Sequence, residues 1–157
     1  MSDRDLESIQ NIAKRLKSIN AKIKLVALLE KAHEEFKQSN YKESEASCKE
    51  VLKDDPNQFI ALRGLGCIYQ NQKKYTEALK YYNKALEFSK NKEIEYTFIG
   101  TIYYIEENLE EAIKYFNLAI DENDNYDSAY EGRNQAMLEK HLEILDLQDR
   151  LIKQKIF

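Results

Sequence analysis

His33 and Cys67 are the side chains in this sequence whose types allow nucleophilic chemistry, an imidazole to act as base and a thiol to attack. Such a pair also needs an orienting group and an oxyanion site. No motif supplies either, and a cysteine at helical spacing among apolar residues is first of all packing material. Cys48 falls on an apolar stripe, and His141 lies far along the chain. The acidic run from Asp121 to Asp127 resembles the start of a calcium loop, but Tyr126 stands at the sixth position and Gly132 at the twelfth. That chemistry needs glycine and glutamate there, so the run is expected to be a turn. There is no glycine-rich phosphate loop and no zinc-ligand spacing. The expectation is therefore no enzyme, no cofactor and no metal.

Charge narrows the partners. Over the whole chain the formal net charge is only −4. Residues 93–131 nevertheless carry one lysine against eleven carboxylates, while residues 1–24 carry six basic and three acidic side chains. The acidic stretch would repel phosphate, so the eleven tyrosines are not expected to stack on nucleic-acid bases. It would attract a basic partner instead. No run approaches the roughly 20 apolar residues of a membrane helix. The first residues, Met1 to Asp5, lack the apolar core of a signal peptide. Two cysteines do not make a disulfide framework. These readings point to a cytoplasmic protein that engages neither membrane nor nucleic acid.

The elements that would position any site follow from length and composition. A chain of 157 residues makes one domain. One proline and four glycines leave little material for sheet turns, which favours helices joined by short connections. Three segments beginning at Tyr41, Tyr75 and Leu109 align at 34-residue intervals, as do the stretches from Leu28, Leu62 and Tyr96. Small residues share columns: Ala32, Gly66 and Gly100; Ser44, Ala78 and Ala112; Val51, Ala85 and Ala119. Large ones fill the columns between: Leu28, Leu62 and Tyr96; Cys48, Tyr82 and Phe116; Leu52, Leu86 and Ile120. Small against large lets helices interlock at short distance. A glycine inside a helix costs up to about 1 kcal/mol against alanine, so Gly66 and Gly100 imply a close approach. Polar stretches such as Gln72-Lys73-Lys74 read as the turns of helical hairpins, and Pro56 as a break between two of them.

In spacing, small-residue columns and the "EALKYYNKAL" helix, the sequence resembles the tetratricopeptide repeat family. The resemblance covers residues 25–126 and a partial unit at 127–138. It implies an all-α solenoid of three hairpins, at 25–58, 59–92 and 93–126. An amphipathic N-terminal helix at 1–24 and a long C-terminal capping helix at 127–157 complete the expected organisation. The family's first helices line a concave groove that holds a peptide or helix of a partner, as in an adaptor or scaffold. The positions implied here are Leu29, His33, Phe36 and Lys37; Arg63, Cys67, Gln70 and Asn71; Thr97, Thr101, Tyr104 and Ile105; and Glu131, Gln135 and Leu138. Tyr104 and Phe36 are candidate anchors, and Arg63 a candidate contact for a carboxylate or carbonyl. Co-chaperone members of the family clamp a C-terminal carboxylate with lysine, asparagine and arginine. The matching positions here are Leu29, His33, Gly64, Ile94 and Phe98, so that ligand is disfavoured. The size and outline also resemble the type III secretion chaperones of the translocator class, which leaves a client-holding chaperone as the alternative.

Stacks of hairpins need caps. Tyr130 and Met137 continue core columns, whereas Leu142, Leu145, Leu151, Ile152 and Ile156 have no expected partner. Ile9, Ile12, Leu16, Ile19, Ile23 and Val26 alternate spacings of three and four, a coiled-coil-like seam. The first expectation is that both terminal helices fold back as caps. The others are a homodimer through either terminal helix, or an N-terminal helix lying in the groove.

Overall fold

The computed structural model describes residues 3–155. Seven α-helices follow one another: α1 Asp3–Lys37, α2 Tyr41–Asp54, α3 Phe59–Asn71, α4 Tyr75–Phe88, α5 Lys92–Ile105, α6 Leu109–Glu122 and α7 Asp127–Lys155. Among the described residues there is no strand. The pairs α1–α2, α3–α4 and α5–α6 are antiparallel hairpins, and each second helix also packs on the first helix of the next pair, α7 included. The result is an all-α solenoid.

The columns explain the close packing. At Gly66 an added Cβ would lie 2.4 Å from the Tyr82 ring, and at Gly100 it would lie 3.0 Å from Phe116. Tyr82 and Phe116 are wholly buried on the helix that follows. Ser44, which stands where the other units have alanine, donates a 2.7 Å hydrogen bond to the Ala32 carbonyl on the facing helix. A second column at the same spacing shows its contacts only in space. Gly64, Phe98 and Gly132 face the preceding hairpin, against Cys48, Tyr82 and Phe116 in turn. Where the column holds phenylalanine, Phe98 stacks on Tyr82 at 5.0 Å with the rings 6° from parallel.

Each hairpin turns in the same way. Ser39, Lys73 and Glu107 adopt φ of 63°, 59° and 60°. The next residue's N–H reaches back to close the helix: Asn40 to the Glu35 carbonyl, Lys74 to Tyr69 and Asn108 to Tyr103, at 2.8, 2.9 and 2.9 Å. This is the Schellman ending, which glycine normally serves because other residues meet a steric penalty in the left-handed region. Replacing Ser39, Lys73 or Glu107 by glycine is expected to raise stability by about 0.5–1 kcal/mol each. Urea unfolding monitored by circular dichroism would measure the gain, and a loss at all three sites would refute it. Pro56 lies in the α2–α3 connection; it does not open α3, whose N-cap is Gln58.

The ends depart from the expected caps. The N-terminal stretch and the first helix of the first hairpin are one unbroken helix, with no glycine or proline between residues 3 and 37 to bend it. Residues 6–24 are exposed throughout, so the N-terminal segment neither folds over the solenoid nor lies in its groove. At its base Lys24 reaches Glu50 at 3.7 Å and Asp54 at 3.6 Å. In α7 only the first turns cap the stack, through Ala129, Gly132 and Ala136. Met137, expected in a core column, is 52% exposed, because no eighth helix packs on that side. From His141 to Gln154 α7 is exposed as well. Ile156 lies outside the described residues.

Candidate functional site

The inner faces of α1 and α3 diverge around a hollow of about 280 Å³. Leu29, Ala32, His33 and Phe36 of α1 form one wall, and Ile60, Arg63, Gly64 and Cys67 of α3 the other. Ser44 and Cys48 of α2 form the floor, and Phe98 of α5 closes the far end. Gly64 opens the hollow, since a Cβ there would touch the Cys48 sulfur at 3.0 Å. The lining is mainly aliphatic and aromatic, and the volume is at the small end of ligand pockets.

Of the groove positions implied by the repeat pattern, Leu29, His33, Phe36, Arg63 and Cys67 meet in this hollow. The others have local partners or stand apart. Gln70 accepts a 2.7 Å hydrogen bond from the Tyr82 hydroxyl, and Asn71 accepts one of 3.2 Å from Tyr41. Thr97 and Thr101 donate back into their own helix, to the carbonyls of Glu93 and Thr97. The Tyr104 hydroxyl donates to Glu139 on α7. Lys37, Ile105, Glu131, Gln135 and Leu138 are exposed outside the hollow. Ile60, Gly64 and Phe98 are lining residues that the groove positions did not include. For Gly64 and Phe98 the signal lay in their 34-residue spacing, shared with Gly132; Ile60 carried no such signal.

Arg63 is not free to meet a ligand's charge. Its Nε donates to Glu95 Oε1 at 2.7 Å, and Nη2 lies 2.7 Å from the same oxygen without a well-aligned hydrogen bond. The guanidinium also sits 5.6 Å from the centre of the Phe59 ring. Glu95 is wholly buried at a position where the neighbouring units carry Ala61 and Ala129, and its Oε2 has no hydrogen-bond partner among the described residues. Glu93 is buried too, so two of the eleven carboxylates counted in the acidic stretch are not part of its surface. Glu110 pairs with Lys140, and Glu111 with Lys114, both at 2.8 Å.

His33 and Cys67 do line the same hollow, yet the thiol's setting is unsuited to attack. Burial raises the Cys67 pKa above the ordinary thiol value, partly offset by the Tyr82 hydroxyl, whose one proton is shared between Gln70 at 2.7 Å and this sulfur at 3.4 Å. Burial pushes Cys48 further, up to about 11. A thiol held protonated is a poor nucleophile. Both cysteines are therefore expected to resist a thiol reagent such as dithionitrobenzoate in the native protein at pH 8 and to react fully after unfolding. Native Cys48 keeps its proton to a higher pH than the unfolded thiol does. Stability should fall as pH rises from 9.0, the ordinary thiol value, toward 11. Rapid native labelling would contradict this. Among the described residues no cluster of three or more His, Cys, Asp or Glu side chains could hold a metal, and no helix is long and apolar enough to cross a membrane.

Stacked hairpins around an inner hollow define an α-solenoid repeat protein. Tetratricopeptide repeat models match residues 59–92 and 96–126. These two segments are tetratricopeptide repeats. A comparison with curated proteins gives no significant match. Solved structures share the fold at low identity. An O-GlcNAc transferase variant from Thermobaculum terrenum is 23% identical, with a TM-score of 0.69, over 74% of this chain and 22% of that one. The first repeat domain of Spaghetti (RPAP3), bound to the HSP90 peptide SRMEEVD, is 22% identical with a TM-score of 0.68, over 75% of this chain and 94% of that one. The pilF protein of Pseudomonas aeruginosa is 18% identical with a TM-score of 0.71, over 78% and 56% respectively. The chain thus spans about a fifth of the transferase.

Proposed function

We propose that the chain is a protein-interaction module, an adaptor or scaffold that takes an apolar side chain of a peptide or helix into the hollow between α1 and α3. The observation that carries this is the lining itself: Leu29, Phe36, Ile60 and Phe98 converge on an open space whose one strong charge, Arg63, is already neutralised by Glu95. An apolar anchor gains from leaving water, while an unpaired charge placed there would lose its hydration. The acidic surface of the third unit supports a preference for basic residues flanking that anchor. The absence of catalytic, cofactor or nucleic-acid roles, and a cytoplasmic setting, remain part of this reading.

Selection from a random peptide library is expected to enrich sequences with a conserved aliphatic or aromatic anchor. Ile60 is 46% exposed at the rim, so Ile60→Asp leaves the core intact while putting a carboxylate at the mouth. Affinity for the selected peptides should fall at least about tenfold, a loss of roughly 1.4 kcal/mol. The acidic peptide SRMEEVD should not bind, because Leu29, His33, Gly64, Ile94 and Phe98 provide none of the cationic and amide groups that would hold a terminal carboxylate. Peptides that bind equally well to the Ile60→Asp protein would overturn the assignment. The alternative, a chaperone holding an aggregation-prone client, predicts protection of an apolar client without a defined anchor motif.

A further inference from the structure

The solenoid carries a bare amphipathic arm at each end, and the two arms match in charge. On α1, Ile9, Leu16 and Ile23 occupy one position of a heptad and Ile12, Ile19 and Val26 the other, all 52–62% exposed. Residues 8–29 include five lysines and arginines and no acidic side chain. On α7, Leu138, Leu145 and Ile152 occupy the second heptad position and Leu142 the first, all 46–60% exposed, with Asp149 at the next first position. The half of this arm next to the solenoid, residues 139–149, carries four carboxylates against one lysine, Lys140, which is engaged by Glu110 at 2.8 Å, whereas Arg150, Lys153 and Lys155 make the tip basic. The arms belong to opposite ends of the stack, so the stripe of one is not buried by the other within a chain.

We infer that the α1 arm of one copy packs on the α7 arm of the next, joining the chains head to tail. Three features select this occupant. The first is direction. The free end of α1 is its N-terminus and that of α7 its C-terminus, so parallel arms overlap with the two solenoids at opposite ends, whereas antiparallel arms would place both solenoids on the same side. The second is the flank. In a parallel pair the residues just before the first heptad position face those just after the second heptad position of the partner. On α1 these include Arg15 and Lys22, seven apart; on α7 they are Glu139 and Asp146, also seven apart, and then Lys153, so the register that sets Arg15 on Glu139 and Lys22 on Asp146 leaves Lys153 outside the acidic flank. Glu139 accepts from Tyr104 and Asp146 pairs with Arg150, both at exposed positions where partners exchange readily. The third is branching. In a parallel two-stranded pair of α1 with itself, β-branched Ile12, Ile19 and Val26 at the second heptad position would face their own copies, a poor fit, whereas on α7 the facing position offers Leu138 and Leu145. The narrow stripe of α1 is the seam of a helix–helix contact rather than the wider face of a membrane-surface helix. A heterologous contact of this kind closes into rings or continues as a filament.

Light scattering on the full chain tests it. The wild type is expected to grow in mass with concentration at low salt and to shrink toward monomer at high salt. Arg15→Glu with Lys22→Glu puts carboxylates on both facing flanks, and Glu139→Lys with Asp146→Lys puts lysines on both. Each variant alone should stay monomeric with unchanged helicity, and a mixture of the two should associate again. Monomeric wild type at every concentration would overturn the inference. So would persistent association of the Glu139→Lys, Asp146→Lys protein, which would mean that α1 pairs with itself. Sedimentation with phosphatidylserine vesicles, with no self-association in solution, would assign the α1 arm to a membrane surface and overturn it equally.

Discussion

Glu95→Ala is expected to destabilise the protein by about 3 kcal/mol, at the lower end of what breaking a buried ion pair costs. The carboxylate is wholly buried, and the Arg63 side chain it holds is only 20% exposed. Removing the acid leaves the guanidinium without its partner in a site that cannot rehydrate it fully. The arginine's exposed edge keeps the loss toward the lower end. Replacing both residues with apolar ones of similar size, Arg63→Met and Glu95→Leu, should recover most of the loss, because neither charge then needs a partner. Equilibrium unfolding in urea gives both values. A single variant within about 0.5 kcal/mol of wild type would show that the pair carries little, as surface pairs do.

Phe116→Ala should cost about 3–5 kcal/mol. The ring is wedged between two helices from which side chains are missing. An added Cβ at Gly132 of α7 would come within 2.5 Å of it, and one at Gly100 of α5 within 3.0 Å. Ala112, Ala136 and Leu109 complete the cluster around it. Small residues on both sides cannot collapse into the space that the ring vacates, so the cavity term stays large. The loss should also have a local signature. The first turns of α7 dock through Gly132 and Ala136, and the cluster around Phe116 is what they dock against. Limited proteolysis should cut α7 between Arg133 and Lys140 much faster in the variant than in the wild type. Uniform acceleration along the chain would argue that α7 does not depend on this ring.

How much of this the sequence shows depends on whether a feature repeats. The columns at Ala32, Gly66 and Gly100 and at Cys48, Tyr82 and Phe116 recur at a fixed interval, and each recurrence is an independent sign of the same contact. They therefore give the hairpins and their stacking order. Glu95 breaks a column otherwise held by Ala61 and Ala129, and its partner Arg63 reads as a surface residue from periodicity alone. Only coordinates show that an arginine 32 positions earlier reaches it. The hollow was legible in part. Leu29, His33, Phe36, Arg63 and Cys67 follow from which side of a first helix faces inward, whereas Gln70, Asn71, Thr97 and Thr101 share that side but are engaged by hydrogen bonds that no spacing reveals. The arms were legible as amphipathic but not as projecting. A heptad stripe says that something covers it, not whether that something is the helix's own domain.

The continuity of α1 has a mechanical meaning. The 35-residue helix that stands bare from Leu6 to Lys24 is the same one that carries Leu29, His33 and Phe36 into the hollow. With no glycine or proline along it, there is no pivot between tip and mouth. Whatever grips the tip, about 35 Å away at 1.5 Å per residue, also fixes the angle at which the mouth meets its ligand. A neighbour that twisted the rod would turn one wall of the opening against the other.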